Sequence, residues 1–375
     1  MKKSLKLSIP GAPQNLSLDA FKDLKNPLLN NWDLFVNDPS KRFADCWFVL
    51  EDVPEYDSVC NVPAENIVFL AAETAQPVSH IEESPHIKSF LEQFGKVFTF
   101  HQFMDVRKVA SIPFLPWMIN SNHGELMWAE HQRNVQTLSR MKPPQKTKLI
   151  SVICSKQELT DNHRMRIRFV EALKQHFGDS LDWFGNGVES VPEKWDAIAP
   201  YKYNIVLENQ SRHNVITEKI GDAFLGYSYP LYWGAPNIID FFDSSSLTNL
   251  NIEDLEGSIL LIEQAIESQF YENRISQLSA SRDVVLHQMN FLNRILNIAE
   301  YLSGLNRLEI RLSSQSEVRD RIERSALSSK WFYKAISNLD RIFLTNFLTL
   351  SKEIYILLRY NRLTLFFRSK LWSNH

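Results

Sequence analysis

The chain has 375 residues, of which 44% are hydrophobic, 23% charged and 12% aromatic; this excludes a wholly disordered polymer and an integral membrane bundle. Lys and Arg number 41 against 44 Asp and Glu, a formal net charge of −3, so no global charge points to nucleic acid. At roughly 150 residues per domain, the length predicts two domains and an appendage.

Three scattered cysteines, Cys46, Cys60 and Cys154, form no C-x-x-C pair and have no histidine at zinc-ligand spacing, which fits a reducing compartment. The opening MKKSLKLSIPGAPQNL carries two early lysines but lacks the apolar core of roughly 7–15 residues that a secretory signal uses. No uncharged apolar run approaches the ~20 residues of a membrane span. The expectation is a cytoplasmic protein that does not cross a bilayer.

In chain order, short apolar runs come first: CWFVLEDV from Cys46, NIVFLAAE from Asn66 and KVFTFHQF from Lys96. They read as buried strands, separated by polar stretches of helical length, and that alternation predicts a parallel sheet. MKPPQKTK at 141–148 breaks any regular element. The rhythm then restarts with a strand from Lys148, KLISVICS, and an amphipathic helix, HRMRIRFVEALKQHF, in which Met165, Phe169, Leu173 and Phe177 recur every four residues. LDWFGNG from Leu181 reads as a strand ending in a glycine turn. KYNIVLEN from Lys202 is another strand, and Thr217 is a good N-cap for a helix over TEKIGDAFLGY. YPLYWGAPN from Tyr229 is a further strand ending in a Gly/Pro loop. From about residue 259 the pattern reads as helical to the end. The expected divisions are 1–145, 146–310 and a tail, 311–375.

The tail is distinct, with 12 Lys/Arg against 5 Asp/Glu and crowded aromatics such as WFYKAISNLDRIF and IYILLRYNRLTLFFRSKLW. Basic, aromatic amphipathic helices suit an anionic membrane face. A terminal helix packed on the first domain, basic side outward, is the alternative, expected for the first half of the tail. Peripheral contact with the inner face of the cell membrane is expected of 340–375.

In open α/β sheets, ligands bind beyond the carboxyl ends of strands, where helix N-termini point free N–H groups. The strand from Lys202 ends in Glu208-Asn209, and Thr217-Glu218-Lys219 opens the following helix. Glu218 there can accept sugar hydroxyls, and Lys219 can neutralise a diphosphate. Spacing alone also fits an ordinary capped helix with a solvated Glu-Lys pair. Arg166 and Arg168 lie on a helix whose opposite face reads as apolar, and arginine binds phosphate oxygens in a bidentate manner; a solvated helix face is the alternative. There is no G-x-G-x-x-G, P-loop, G-x-S-x-G or H-E-x-x-H motif, and no D-x-D metal triplet near a strand end.

The segment YKYNIVLENQSRHNVITEKIGDAFLGYSYPLYWGAPN, residues 201–237, resembles the signature of the α-1,3/4-fucosyltransferase family (glycosyltransferase family 10), of bacterial type. Lys202, Tyr203, Glu208, Asn209, Thr217, Glu218, Lys219, Pro230, Gly234 and Pro236 fall in register with it. More thinly, MRIRFVEAL resembles the family's arginine-bearing helix, LDWFGNG its strand-glycine turn and FLAAETAQP its acidic strand end. The resemblance implies an α/β fold of the GT-B type, two Rossmann-like domains facing a cleft, plus the helical tail. The second domain would hold GDP-fucose as donor, and the first would present a glycan acceptor, free or lipid-linked. Arg166 and Lys219 would face the diphosphate, Glu218 would bind a ribose or fucose hydroxyl, and Glu208, Asn209 and Thr217 would line the donor pocket. No metal is implied; a divalent cation would at most stimulate.

Two departures stand out. Val215 occupies a place where the family commonly has tyrosine. The general base is also shifted, since His101 and Gln102 stand where some relatives have Asp-Glu. Candidates for the base are Glu73, whose carboxyl burial would have to raise, and His101, already in range; Glu125 and Glu130 are outside candidates. The expected activity is inverting transfer of L-fucose from GDP-β-L-fucose to the 3-OH of N-acetylglucosamine or glucose. Another nucleotide sugar on the same fold, or a non-catalytic glycan-binding protein, are the alternatives.

Overall fold

The computed structural model describes residues 2–71, 84–100, 108–110, 119, 133–158, 160–302, 304 and 307–325. Glu73, His101, Gln102, Glu125, Glu130 and the basic tail beyond residue 325 lie outside the described residues. The chain forms two compact units, residues 1–81 with 94–312, and 82–93 with 313–375.

The larger unit holds two parallel sheets. The first contains β1 (Lys3–Ser8), β2 (Trp32–Val36), β3 (Cys46–Leu50), β5 (Ile67–Leu70), β6 (Lys96–Thr99) and β7 (Lys108–Ala110), in the order β2-β1-β3-β5-β6-β7. Every pairing in it is parallel. All residues of β3 and β5 are buried, as strands covered on both faces should be. The second sheet contains β8 (Lys148–Ile153), β9 (Leu181–Phe184), β10 (Tyr201–Leu207), β11 (Tyr229–Trp233) and β12 (Thr248–Asn249), in the order β12-β11-β10-β8-β9. It too is parallel throughout. The strand order reverses between β8 and β10, whose register sets Ile205 against Val152. A doubly wound sheet opens its ligand crevice at that reversal.

Two helices frame the crevice. Helix α3 (Asp161–Phe177) follows β8, capped by Thr160, whose hydroxyl accepts from His163 N. Its buried stripe is His163, Arg166, Ile167, Phe169, Val170 and Leu173. The expected face was therefore partly wrong. Arg168 is exposed, but Arg166 turns inward with the apolar stripe, because residues 163, 166, 170 and 173 share a face at 3.6 residues per turn. Helix α4 (Glu218–Leu225) follows β10 with Thr217 as N-cap, as its sequence predicts.

The C-terminal helices α5 (Leu255–Glu267), α6 (Phe270–Asn273), α7 (Ile275–Asp283) and α8 (Phe291–Glu300) follow, with a π-turn over Val284–Gln288. Helix α8 returns to the first sheet. Asn26 Nδ2 donates to Asn293 Oδ1 at 2.7 Å, Trp32 Nε1 to Glu300 Oε1 at 2.6 Å, and Asn290 Nδ2 to Phe21 O at 3.0 Å. His287 Nδ1 lies 2.7 Å from Asp23 Oδ2. Beside this seam lies a polar hollow of about 320 Å³ lined by Asp23, Lys25, Asn26, His287, Asn293 and Asn297.

The expectation of helix to the end is overturned by β13 (Arg307–Arg311), which pairs antiparallel with β4 (Val59–Pro63), Glu309 opposite Asn61. RLEIR alternates apolar and charged residues, a strand period hidden among helical neighbours. In the smaller unit, α1 (Pro85–Leu91) is described together with a helical segment over 315–325. The latter opens with a reciprocal capping box: Ser314 Oγ accepts from Glu317 N, and Glu317 Oε2 accepts from Ser314 N. Among the described residues no helix is long and apolar enough to cross a membrane.

Candidate active site

The site is built at the carboxyl ends of β8 and β10. Leu207 ends β10, and the next residue, Glu208, is wholly buried. Its Oε1 accepts from Thr217 N at 2.9 Å and its Oε2 from Thr217 Oγ1 at 2.7 Å. The carboxylate therefore ties the strand end to the N-cap of α4. Burial raises its pKa, while Lys219 and the Thr217 hydrogen bonds act the other way. Gly234 explains how Glu208 fits: a Cβ there would lie 2.4 Å from Glu208 Cγ and 2.3 Å from the Tyr232 hydroxyl. That hydroxyl accepts from Ala235 N at 2.8 Å, so the turn after β11 closes over Glu208 only with glycine at 234.

Lys219, on the first turn of α4, keeps 26% of its side-chain surface exposed. Its Nζ lies 3.1 Å from Thr217 Oγ1, 3.5 Å from Glu208 Oε2 and 3.7 Å from Glu218 Oε1. Glu218 is 19% exposed and meets Lys194 Nζ at 3.4 Å. Burial would raise its carboxyl, but Lys219 and Lys194 outweigh it and hold the pKa at about 2. Lys194 also reaches Asp222 Oδ2 at 3.3 Å, and the two carboxylates keep its ammonium above its usual range despite burial.

Arg166 comes from α3 with 5% of its surface exposed. Its Nη1 donates to Leu207 O at 3.2 Å, and its buried Nε has no protein acceptor. Burial lowers its pKa, with Cys154 and Glu208 pulling it back up. Asn209 is half-buried after Glu208. Val215, by contrast, is in the core, 1% exposed. The loop before α4 is held by a mutual amide pair: Asn214 N donates to Asn237 Oδ1 at 2.9 Å, and Asn237 Nδ2 to Asn214 Oδ1 at 3.0 Å.

The structure thus brings together Arg166, Glu208, Asn209, Thr217, Glu218 and Lys219 across two βα units. Sequence reading missed Lys194 and Asp222. The signal was present, since Glu218 and Asp222 are i and i+4 on one helix face, and two buried carboxylates there call for a cation. Among the described residues no group of three or more His, Cys, Asp or Glu could hold a metal ion. Arg166, Lys194, Lys219 and the N–H end of α4 thus gather at the strand-order reversal, each cation beside one or more carboxylates or a backbone carbonyl.

Two parallel α/β sheets, with a C-terminal helix returning to the first, are the paired Rossmann-like arrangement of the GT-B fold. No protein-family model matches the chain. By sequence it is similar to an α-1,3-fucosyltransferase, FucT of Helicobacter pylori, with 34% identity over 62 residues. The match spans 16% of this chain and 13% of that protein's length. Among solved structures it is similar to an α1,3-fucosyltransferase crystallised with GDP-fucose, at 17% identity and TM-score 0.41, over 86% of this chain and 90% of that one. It is also similar to Anabaena HepE in complex with UDP-glucose, at 10% identity and TM-score 0.42, over 81% and 100% of the two chains.

Proposed function

We propose that this chain is an inverting fucosyltransferase that moves L-fucose from GDP-β-L-fucose to a hydroxyl of a glycan acceptor, the 3-OH of N-acetylglucosamine or glucose. The observation that carries the reading is the convergence of Arg166, Lys219 and the N-terminus of α4 at the β8/β10 reversal, where a diphosphate's charge would be met. The family resemblance of residues 201–237 supplies the guanine nucleotide and the sugar.

In this mechanism the acceptor oxygen attacks the anomeric carbon as a base removes its proton. Glu73 or His101 is that base. The bond to the diphosphate breaks through an oxocarbenium-like transition state, and the charge left on GDP is stabilised by Lys219, Arg166 and the helix N–H groups. Glu218, kept ionised, accepts a donor hydroxyl, while Glu208 and Thr217 hold the strand end and the helix start in register. No metal is required on this reading, a divalent cation at most stimulating, so transfer should persist in a chelator.

Calorimetry with GDP-fucose, GDP-mannose and UDP-sugars, followed by transfer to a glycan array, tests the reading. Retention of GDP-fucose and formation of an α-fucoside is the expected result. Binding of a UDP-sugar in its place, or of no nucleotide, overturns it. Deleting 340–375 is expected to move the protein from the membrane to the soluble fraction.

A further inference from the structure

We propose that Lys194 is a positioning residue of the donor site: by neutralising Glu218 and Asp222 it leaves the Lys219 ammonium available to an incoming diphosphate. The inference rests on the donor reading above, but it concerns a residue outside the signature segment.

Among the described residues of the site, Arg166, Lys194 and Lys219 stand with Glu208, Glu218 and Asp222. Glu218 and Asp222 occupy one face of α4, where like charges at i and i+4 repel. Lys194 bridges them, at 3.4 and 3.3 Å. Lys219 stands farther from its own carboxylates, at 3.5 and 3.7 Å. Without Lys194, Glu218 and Asp222 lose the ammonium between them, and Lys219, 3.7 Å from Glu218 Oε1, is the described cation that remains beside Glu218. An ammonium drawn into that carboxylate is no longer offered to phosphate, and the local potential turns against an anionic ligand.

Lys194 is also held in place from its own side. Its neighbour Trp195 donates N–H to Ile119 O at 2.9 Å. Arg133 Nη1 pairs with Glu193 Oε2 at 2.6 Å and its guanidinium lies 4.4 Å from the Trp195 ring centre. The backbone at 193–195 is therefore pinned on both sides of the lysine, as expected of a residue that must deliver its charge to a fixed point.

The test is titration of GDP into the full chain and its Lys194→Met, Lys194→Arg and Asp222→Asn variants, with melting temperatures measured alongside. Lys194→Met should weaken GDP about tenfold. Lys194→Arg, which keeps the charge, should stay within about threefold of the parent. Asp222→Asn, which removes one carboxylate, should bind GDP severalfold more tightly, a gain that a merely structural ion pair does not produce. If the parent binds GDP and Lys194→Met binds it equally well, or the arginine variant fails to restore binding, the Lys194 inference falls and the donor reading stands. If Lys194→Met does not fold, Asp222→Asn decides, and unchanged or weaker binding overturns the inference. A parent chain that does not bind GDP removes both.

Discussion

Beside each sheet a lysine pairs with a buried carboxylate, Lys6 from within β1 and Lys219 from the first turn of α4, and the two pairs differ in build. In the first sheet Lys6 and Asp57 have no exposed side-chain surface. Besides its ion pair with Asp57 Oδ1, the Lys6 ammonium donates to Asp38 O at 3.1 Å and Lys41 O at 3.0 Å. Asp57 accepts in addition from Ser8 Oγ at 2.7 Å, which itself accepts from Trp47 Nε1 at 2.8 Å. Beside the second sheet, on α4, Lys219 is a quarter exposed, its carboxylates stand at 3.5 Å or more, and its closest partner is a neutral hydroxyl. The first pair is fully enclosed and ties parts of the fold together. The second, part-exposed and with long contacts at a strand-order reversal, fits the diphosphate role proposed above for Lys219.

Substitution should separate the two. Lys6→Met leaves Asp57 as a lone buried charge and should cost about 3–5 kcal/mol of stability, read from the urea midpoint; a shift below ~1 kcal/mol would mean that the pair is not structural. Lys219→Ala should change the midpoint little and lower kcat on the order of 10²-fold or more; near-parent turnover would refute its role. Gly234→Ala forces a methyl against Glu208 and Tyr232 and should cost about 1–3 kcal/mol through overpacking, with donor affinity falling in parallel. Thr217→Ala removes the N-cap of α4 and a partner of Glu208, worth about 1 kcal/mol as a cap.

A further contrast lies in acid stability. Glu218 ionises at about 2 when folded, against an ordinary value of 4.5. A depressed carboxyl stabilises the fold above its unfolded pKa, and that contribution is lost as pH falls from about 4.5 towards about 2. Glu208, raised by burial, works in the opposite sense, removing stability as pH climbs above 4.5. Glu218→Gln should therefore flatten the fall in melting temperature between about pH 4.5 and pH 2. An unchanged slope would show that Lys194 and Lys219 do not depress this carboxyl.

Much of this was legible in the chain. The apolar runs of β3 and β5, and the nearly continuous ones of β8, β10 and β11, announce buried strands, and Thr217 marks the start of α4. What stayed hidden had local patterns that contradict their surroundings. β1 reads KSLKLS, and a lysine pointing into the core disguises a central strand until Asp57, far along the chain, is seen to neutralise it. β13 sits among helices and acquires its partner only from β4, some 250 residues earlier. At the site, the residues on one contiguous signature were found. Lys194 was missed because VPEKWD carries no motif, and only the third dimension sets it beside α4. Arg166 was found but set on the wrong face, since an arginine among apolar residues reads as the solvent side unless a strand-end carbonyl waits for it.

The return of α8 to the first sheet has a bearing on how the chain can be handled. By sequence that helix belongs with the second sheet, yet Asn293, Glu300 and the preceding Asn290 complete hydrogen bonds for Asn26, Trp32 and Phe21. Cutting the gene between residues 141 and 147 and producing the halves separately would leave the first fragment with an unclad flank and the second with a helix bare of its seat. The two pieces should stay insoluble apart and regain form only when made together.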